Sequence, residues 1–362
     1  MFLGAEGLRA LNTAGHGTPT IAQGTLNVAE REFTADIVLA GTSVPGVDSD
    51  AVKGNVIARF ENELVVRGAT VILSDADRAF FRDDVTVSIG PDTKVYKRSH
   101  DGLLDIGAIS VGQRVVIRGE VTANDELGIH IDATQGAVRM DVTNLSGIVN
   151  TVMPGQVNIE LHSIDRRRSQ VFDFSGTGMT PELNADPNDY EISTGNLLMA
   201  DQATGRPVLV YGFPNAFGGA PPDFEGRTIV DYSDVRSVLG VGWGVAGTIA
   251  PFLSMGSDGL LLDNQNPDID QRHYIKQGPV LIDLTTLDSN TVIAARETGR
   301  KLFVVKTTDS LQLYADFDDF VNALTLELDG ATMARSMYAR GHYNGDTNVF
   351  TAYKIGIYLI EP

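Results

Sequence analysis

Residues 118–121 read Arg118-Gly119-Glu120-Val121, and versions of this strand–glycine–strand phrase return along the chain. The other copies are Gln23-Gly24-Thr25-Leu26, Tyr211-Gly212-Phe213-Pro214 and Arg340-Gly341-His342-Tyr343. A second phrase, glycine with Val or Ile two positions later, begins at Gly54, Gly147 and Gly247. Gly54 precedes Gly119 by 65 residues, and Gly147 precedes Gly212 by the same 65. Regular spacing of this kind predicts a tandem array of small β units.

The runs between these glycines predict the fold class. Residues 85–89 and 114–121 alternate apolar and polar side chains, which is typical of half-buried strands. A helix-like stretch of one or two turns within 104–113 precedes the second of these runs. Five or six short strands with one brief helix match a small barrel. The prediction is an all-β chain of tandem small OB-like (oligonucleotide/oligosaccharide-binding-type) Greek-key barrels with only short helices.

The repeat also predicts domain bounds. Barrel unit 1 covers 51–143, unit 2 covers 144–243, and unit 3 covers 244–362, with an insertion at Met255–Gln277 and a short helix at Phe317–Leu324. Residues 1–50 form an N-terminal segment. It contains Phe33-Thr34-Ala35, which follows Gly24 at the spacing by which Phe350-Thr351-Ala352 follows Gly341. We therefore expect residues 20–44 to be the closing hairpin of an incomplete unit, and the chain to be a fragment of a longer protein.

Composition limits the classes of function. The net charge of −19 disfavours nucleic acid and anionic lipid as partners, because both are recognised by basic side chains. The chain has no cysteine, which excludes disulfides, thiolate metal sites and cysteine nucleophiles. No run of 18 apolar residues occurs, so no membrane span is predicted. Residues Met1–Glu6 lack the basic and apolar regions of a signal peptide.

Three stretches carry a family resemblance: Val111–Gly119, Pro91–Val95 and Gly54–Val56. They resemble modules of uncharacterised bacterial cell-envelope proteins, secreted or lipoprotein-type, that are built of tandem OB-like barrels. The resemblance implies a location in the periplasm, at the outer membrane or outside the cell, and it implies no catalytic residue. Unit 2 keeps Gly147-Ile148-Val149, whereas unit 3 lacks the valine–glycine turn before Gly341.

No stretch identifies a catalytic or metal site. Residues Asp263–Asp270 have the oxygen density of a calcium loop but lack its central glycine and terminal glutamate, so a solvated loop is favoured over a calcium site. The carboxylate pairs Asp83-Asp84 and Asp318-Asp319 do not stand out among 47 acidic residues. No two of the histidines have metal-ligand spacing: His16, His100, His130, His162, His273 and His342. Nucleophile-elbow and phosphate-loop motifs are absent from the sequence. We assign no catalytic residue, no cofactor and no metal.

Two further clusters have two readings each. Arg166-Arg167-Arg168 is an anion contact or, the favoured reading, the solvated tip of a hairpin. Five aromatic residues form either a stacking platform for a ligand or, as favoured, packing between units 2 and 3. They are Tyr211, Phe213, Phe217, Phe224 and Trp243.

The sequence favours a non-catalytic binding or scaffolding module of a bacterial envelope protein. The alternative is an accessory region of a carbohydrate-active or metal-dependent hydrolase. A protein or a glycan is the expected partner, and the oligomeric state stays open. We expect the ligand to contact the long loops of units 2 and 3, because loops on a rigid scaffold commonly carry function.

Overall fold

The computed structural model describes residues 4–13, 17–41, 44, 47, 49–74, 78–98, 100, 102–125, 128–195, 197, 204–232, 235–329 and 332–361. These residues form many strands and two α-helices, α1 (Gly4–Thr13) and α2 (Phe317–Asp329), in an all-β, barrel-like fold. The predicted fold class is confirmed. Neither helix has the length and apolarity needed to cross a membrane, and no other helix in the described part of the chain does.

Contacts between residues divide the chain into two compact units. The first contains Met1–Thr143, Gln170–Asp186 and Gly212–Glu225; the second contains Asn144–Ser169, Pro187–Tyr211 and Gly226–Pro362. The division into segments 1–50, 51–143, 144–243 and 244–362 stays a prediction.

The first unit contains a hairpin and a closed barrel. The hairpin pairs β1 (Thr20–Asn27) with β2 (Glu32–Ala40), within the residues predicted as a closing hairpin. The barrel strands are β3 (Asp50–Phe60), β4 (Glu63–Leu73), β5 (Arg78–Ser88), β6 (Lys94–Lys97), β7 (Arg114–Asp125) and β8 (Gly128–Asp141). Five of them close a ring in the order β3-β4-β5-β8-β7, in which β5 and β8 are parallel. A 3-10 turn at Ile106–Ala108 occupies the place of the predicted brief helix before β7.

Alternation along these strands fills the barrel with apolar side chains. Val66, Val87 and Ile117 are fully buried, as are Ile131 on β8 and Val52 on β3. Because successive side chains on a strand point to opposite faces, the same strands present polar residues outward.

The recurring glycines lie where two strands approach too closely for a side chain. A Cβ on Gly119 would lie 2.2 Å from the carbonyl oxygen of Asp132. At Gly24, Gly212 and Gly341 the corresponding distances to a partner-strand carbonyl oxygen are 1.9, 1.9 and 2.1 Å. Strand pairing shifts register at or beside Gly24, Gly119 and Gly341. The phrase that repeats in the sequence is therefore a β-bulge that bends a strand.

A second sheet has six strands. They are β9 (Thr143–Met153), β10 (Gln156–Ile164), β11 (Arg167–Arg168), β12 (Tyr190–Ser193), β13 (Pro207–Pro214) and β14 (Phe224–Asp231). The order is β11-β10-β12-β14-β13-β9, and β9 also pairs with β10. The core-facing residues of the strands are fully buried, among them Val149, Ile159, Ile192 and Val210.

The third sheet has ten strands and lies in the second unit. They are β15 (Arg236–Trp243), β16 (Phe252–Gly256), β17 (Gly259–Leu262), β18 (Ile269–Gln277), β19 (Val280–Asp283), β20 (Val292–Ala295), β21 (Leu302–Lys306), β22 (Leu311–Tyr314), β23 (Met333–Asn344) and β24 (Val349–Ile360). The main path runs β16-β17-β20-β24-β23-β15-β18-β19, and β21 joins β24 and β22.

Two predictions for this region have different outcomes. The predicted helix at Phe317–Leu324 is confirmed and extends to Asp329, with Phe320 and Leu324 buried against the sheet. The predicted insertion at Met255–Gln277 is wrong as a loop, because it contains β17 and β18, and β18 pairs with both β15 and β19. Deleting residues 256–276 would therefore remove an internal strand.

The three larger sheets have comparable strand orders. In the barrel, β3 lies between β4 and β7, and β8 joins β7 to β5. In the second sheet, β9 likewise lies between β10 and β13, and β14 joins β13 to β12. In the third sheet, β15 lies between β18 and β23, and β24 joins β23 to β20. The joining strand pairs in parallel in two of these sheets: β8 with β5 in the barrel, and β24 with β20 in the ten-stranded sheet.

Candidate functional site

A cleft of about 340 Å³ opens in the second unit beside the turn that joins β23 to β24. One wall is the ends of these strands, the second is the end of β18, and the third is the segment Gly205–Pro207 before β13. The lining residues are Gly205, Arg206, Pro207, Gln277, His342, Tyr343, Asn344, Gly345, Asp346 and Thr351. The volume lies within the range of small-molecule sites, roughly 300–1,000 Å³.

The β23–β24 turn is shaped by its own side chains. The Asn344 Oδ1 accepts hydrogen bonds from the backbone N–H groups of Asp346 (3.0 Å) and Thr347 (3.2 Å). Asn348 then adopts φ 49°, a left-handed conformation that asparagine tolerates better than most residues. This turn presents Asp346 to solvent at the mouth of the cleft.

The opposite wall is fixed to the second sheet. The Gly205 N–H donates to the Val149 carbonyl (2.8 Å), and the Val149 N–H donates to the Arg206 carbonyl (3.0 Å). The Arg206 guanidinium lies 3.4 Å from the Asp231 carboxylate. A Cβ on Gly345 would lie only 3.2 Å from the Gly205 carbonyl oxygen, so glycine at 345 lets the two walls approach.

A buried polar network supports the floor of the cleft. Asn348 Oδ1 accepts from the Tyr343 hydroxyl (3.0 Å) and from the Thr291 hydroxyl (2.9 Å), and Asn348 Nδ2 donates to the Ser289 carbonyl (2.8 Å). Asn264 Nδ2 donates to Thr291 Oγ1 (3.2 Å). Such networks hold side chains in one arrangement when their members are bonded.

Two lining residues join that network to the cleft. Gln277 is fully buried at the end of β18, and its Nε2 donates to the Tyr343 carbonyl (3.2 Å). Burial raises the pKa of Tyr343 to about 12, so its phenol stays protonated and donates to Asn348 at neutral pH. The floor is therefore rigid, while His342, Asn344 and Asp346 are exposed at the rim.

Residues Asp263–Asp270, which the sequence predicts to be a solvated loop in preference to a calcium site, include two buried side chains. Asn264 and Asn266 are buried, and Asn266 Nδ2 donates to the Ala250 carbonyl (2.8 Å). Asp263 and Asp270 accept backbone N–H bonds from Gln265 and Arg272. The prediction of a solvated loop is wrong for the two asparagines, which tie neighbouring segments together. Among the described residues, no group of three or more His, Asp or Glu is placed to hold a metal ion.

The histidines have separate environments. His130 bonds to Ser88 Oγ (2.8 Å), and His162 lies 3.5 Å from Glu160. His342 lines the cleft, and His16 lies outside the described residues. His273 is 3% exposed, and neither ring nitrogen has a hydrogen-bond partner. Burial lowers the pKa of His273 to about 4, against the opposing pull of Asp283, Asp263 and Asp270.

The remaining sequence candidates do not form a site. Residues Asp165 and Arg166 have positive φ in the turn between β10 and β11, so Arg166 lies at the predicted hairpin tip, whereas Arg167 and Arg168 pair with β10 as β11. Asp84 forms two 2.6 Å bonds to Arg67, and the Asp83 side chain lies outside the described part of the chain. Asp318 and Asp319 form the first turn of α2, where negative charge favours the helix.

The reading of the aromatic residues as a stacking platform is wrong. Phe213, Phe224 and Trp243 are fully buried. Trp243 packs in the core of the ten-stranded sheet, with its ring 6.3 Å from that of Phe252. Phe217 is half-buried beneath the Arg59 guanidinium, 4.6 Å away. Tyr211 is 37% exposed and stands apart from the cleft lining.

Sequence reasoning reached part of the cleft. His342 and Tyr343 of the repeated phrase line the cleft, as does Gln277 of the segment predicted as an insertion. The expectation that a ligand contacts the long loops of units 2 and 3 stays a prediction. Gln277 and Asn348 carried no signal, because their roles depend on partners more than 50 residues distant. Comparison with protein-family models, with curated proteins and with solved structures found no match.

Proposed function

We propose that this chain is a non-catalytic binding protein that holds a small hydroxyl-rich ligand, such as the end of a glycan, in the cleft beside the β23–β24 turn. The observation that carries the proposal is a rim of side-chain donors and acceptors on a rigid floor. Arg206 brings N–H groups, Asp346 brings a carboxylate, and Thr351 brings a hydroxyl. Hydroxyl groups both donate and accept, so they match such a mixed lining.

The wider assignment is that these sheets are tandem OB-like modules of a bacterial envelope protein, periplasmic, outer-membrane-associated or secreted. The recurrence of one strand order in three sheets supports the modular part. The absence of cysteine and the acidic composition support an envelope location. The acidic composition also favours a protein or glycan partner over nucleic acid.

The test is a thermal-shift and calorimetric titration against bacterial and plant cell-wall oligosaccharides, with calcium and a single-stranded oligonucleotide as separate arms. A ligand at a hundredfold its Kd stabilises the folded state by about 2.7 kcal/mol. We expect this for an oligosaccharide, and we expect the double variant His342→Ala/Asp346→Ala to lose it. Both side chains are exposed, so the fold should survive.

Asp258→Ala is the matched control, because Asp258 is an exposed carboxylate in the β16–β17 turn away from the cleft lining. Binding that survives the double variant, or no binding by any oligosaccharide, would reject the cleft as a glycan site. Cleavage of the oligosaccharide during the titration would instead favour the hydrolase alternative.

A further inference from the structure

The β1–β2 hairpin is a two-stranded sheet with an exposed apolar face. Within the described residues no third strand pairs with it. Every residue of β1 is exposed, and Leu26, Phe33 and Val38 are 59, 47 and 41% exposed. A hairpin alone is marginally stable in water, and free edges present unpaired backbone groups.

This hairpin duplicates β23–β24 at a constant offset of 317 residues. Asn27 Oδ1 accepts from the N–H groups two and three residues later, as Asn344 Oδ1 does. Arg31 has φ 56°, and Asn348 has φ 49°. The strand pairing shifts between Gln23 and Gly24 as it shifts between Arg340 and Gly341. The two turns and the two bulges therefore place equivalent side chains on equivalent faces.

The equivalent faces differ completely in burial. On β23–β24 the inward residues are 0–4% exposed: Ala339, Tyr343, Phe350, Ala352, Ile355 and Ile357. Their counterparts on the first hairpin are Ala22, Leu26, Phe33, Ala35, Val38 and Ala40, all apolar and none of them buried. An apolar face that is repeated in register but left in solvent indicates an interaction surface.

The ten-stranded sheet shows which strands pair with the edges of such a hairpin. β15 lies antiparallel along the edge of β23, and β20 and β21 lie parallel along the edge of β24. We propose that the β1–β2 hairpin docks two strands of another polypeptide, one antiparallel along β1 and one parallel along β2, with apolar side chains against Leu26, Phe33 and Val38. This is strand addition to an exposed edge.

A second copy of the chain is the less favourable occupant. Each copy carries a net charge of −19, so two copies repel one another. By analogy with β23–β24, the hairpin needs counterparts of β15 and β20 along its edges. The hairpin of a second copy is a counterpart of β23–β24 and does not provide them. A partner that supplies both strands satisfies both edges at once.

The test supplies such strands in a defined form. A copy of residues 236–295, which contains β15 to β20, is joined to Met1 of the full chain through a flexible glycine–serine linker. Linking raises the effective concentration to the millimolar range. Amide hydrogen exchange at Thr20–Asn27 and Glu32–Ala40 is compared in the full chain with and without the added segment, with β23–β24 as internal reference.

We expect exchange in the hairpin to slow by roughly tenfold or more when the added strands dock. Phe33→Asp on the inward face should abolish the slowing, and Thr34→Asp on the outward face should keep it. Unchanged exchange, or slowing that survives Phe33→Asp, would overturn the proposal. Concentration-dependent dimerisation of the unmodified chain that Phe33→Asp abolishes would assign the face to a second copy and overturn the proposed partner.

Discussion

The closed barrel and the ten-stranded sheet share a strand order but differ in how their buried polar side chains are bonded. In the barrel region, the buried polar side chains bond to backbone carbonyls. Gln113 Nε2 donates to Arg114 and Asp141, and Thr93 donates to Ala133. Arg59 donates to the carbonyls of Ile106 and Ile109 in the same way. These bonds close the ends of strands and turns without linking side chains to one another.

In the ten-stranded sheet, several buried side chains also bond to one another. Asn264, Thr291, Asn348 and Tyr343 form a continuous path to the floor of the cleft. Buried polar groups cost free energy when their bonds are lost, so such a path is retained where position matters more than stability. The proposed binding cleft therefore lies in the region whose buried polar side chains bond to one another, and the closed barrel lacks such a path among its described residues.

The bulge glycines test what the two regions share. Gly119→Ala and Gly341→Ala would each place a Cβ within 2.2 Å of a carbonyl oxygen, so we expect each to lose about 3 kcal/mol of stability in its own region. Gly356→Ala on β24 is the control, because no heavy atom lies within 4 Å of its Cβ position.

The readouts are local. Trp243, the single tryptophan, reports urea unfolding of the ten-stranded sheet, and hydrogen exchange reports the barrel. Equal stability of Gly341→Ala and Gly356→Ala would show that the bulge does not require glycine. The close approach of the strands would then not explain why glycine recurs in the sequence.

The polar path tests what separates the two regions. Asn348→Ala removes the acceptor of Tyr343 and Thr291 and places alanine at a positive φ, so we expect a loss of about 2 kcal/mol in the tryptophan-detected transition. Asn348→Gly also removes the hydrogen bonds to Tyr343 and Thr291, but glycine adopts the positive φ without strain. If Asn348→Gly were as stable as the parent chain, the path would contribute only conformation, and the contrast with the barrel would fail.

The predictable part of the molecule is the local part. Gly24, Gly119, Gly212 and Gly341 repeat in the sequence because a bulge excludes any side chain there, and this requirement is written in neighbouring residues. The brief turn at 106–108 and the helix from Phe317 are predictable because their signals also lie in neighbouring residues.

The cleft could not be predicted in this way. Gln277 contributes through Tyr343, and Asn348 contributes through Thr291, which are pairings set by sheet register. In the segment Met255–Gln277, the polar residues Asn264 and Asn266 predict a solvated loop, but the structure buries both side chains. Similarly, exposure of the aromatics depended on which strand face each one occupies, a property that a one-residue shift inverts.

The buried His273 makes the stability of the ten-stranded sheet depend on pH. His273 has a pKa of about 4 in the folded chain, below its ordinary 6.5, because burial disfavours the charged ring. Between these values the unfolded chain binds the proton and the folded chain does not. Stability is therefore complete above pH 6.5 and falls as the pH drops toward 4, by an amount on the order of 3 kcal/mol.

His273→Leu removes a ring whose nitrogens have no hydrogen-bond partner, so it should flatten this slope in the tryptophan-detected transition without loss at pH 7.5. His162→Leu on β10 is the matched control and should keep the slope. If His273→Leu kept the slope instead, the acid sensitivity would not come from the buried ring of His273. The polar interior would then be a pH-insensitive scaffold, closer to the barrel than its hydrogen bonds suggest.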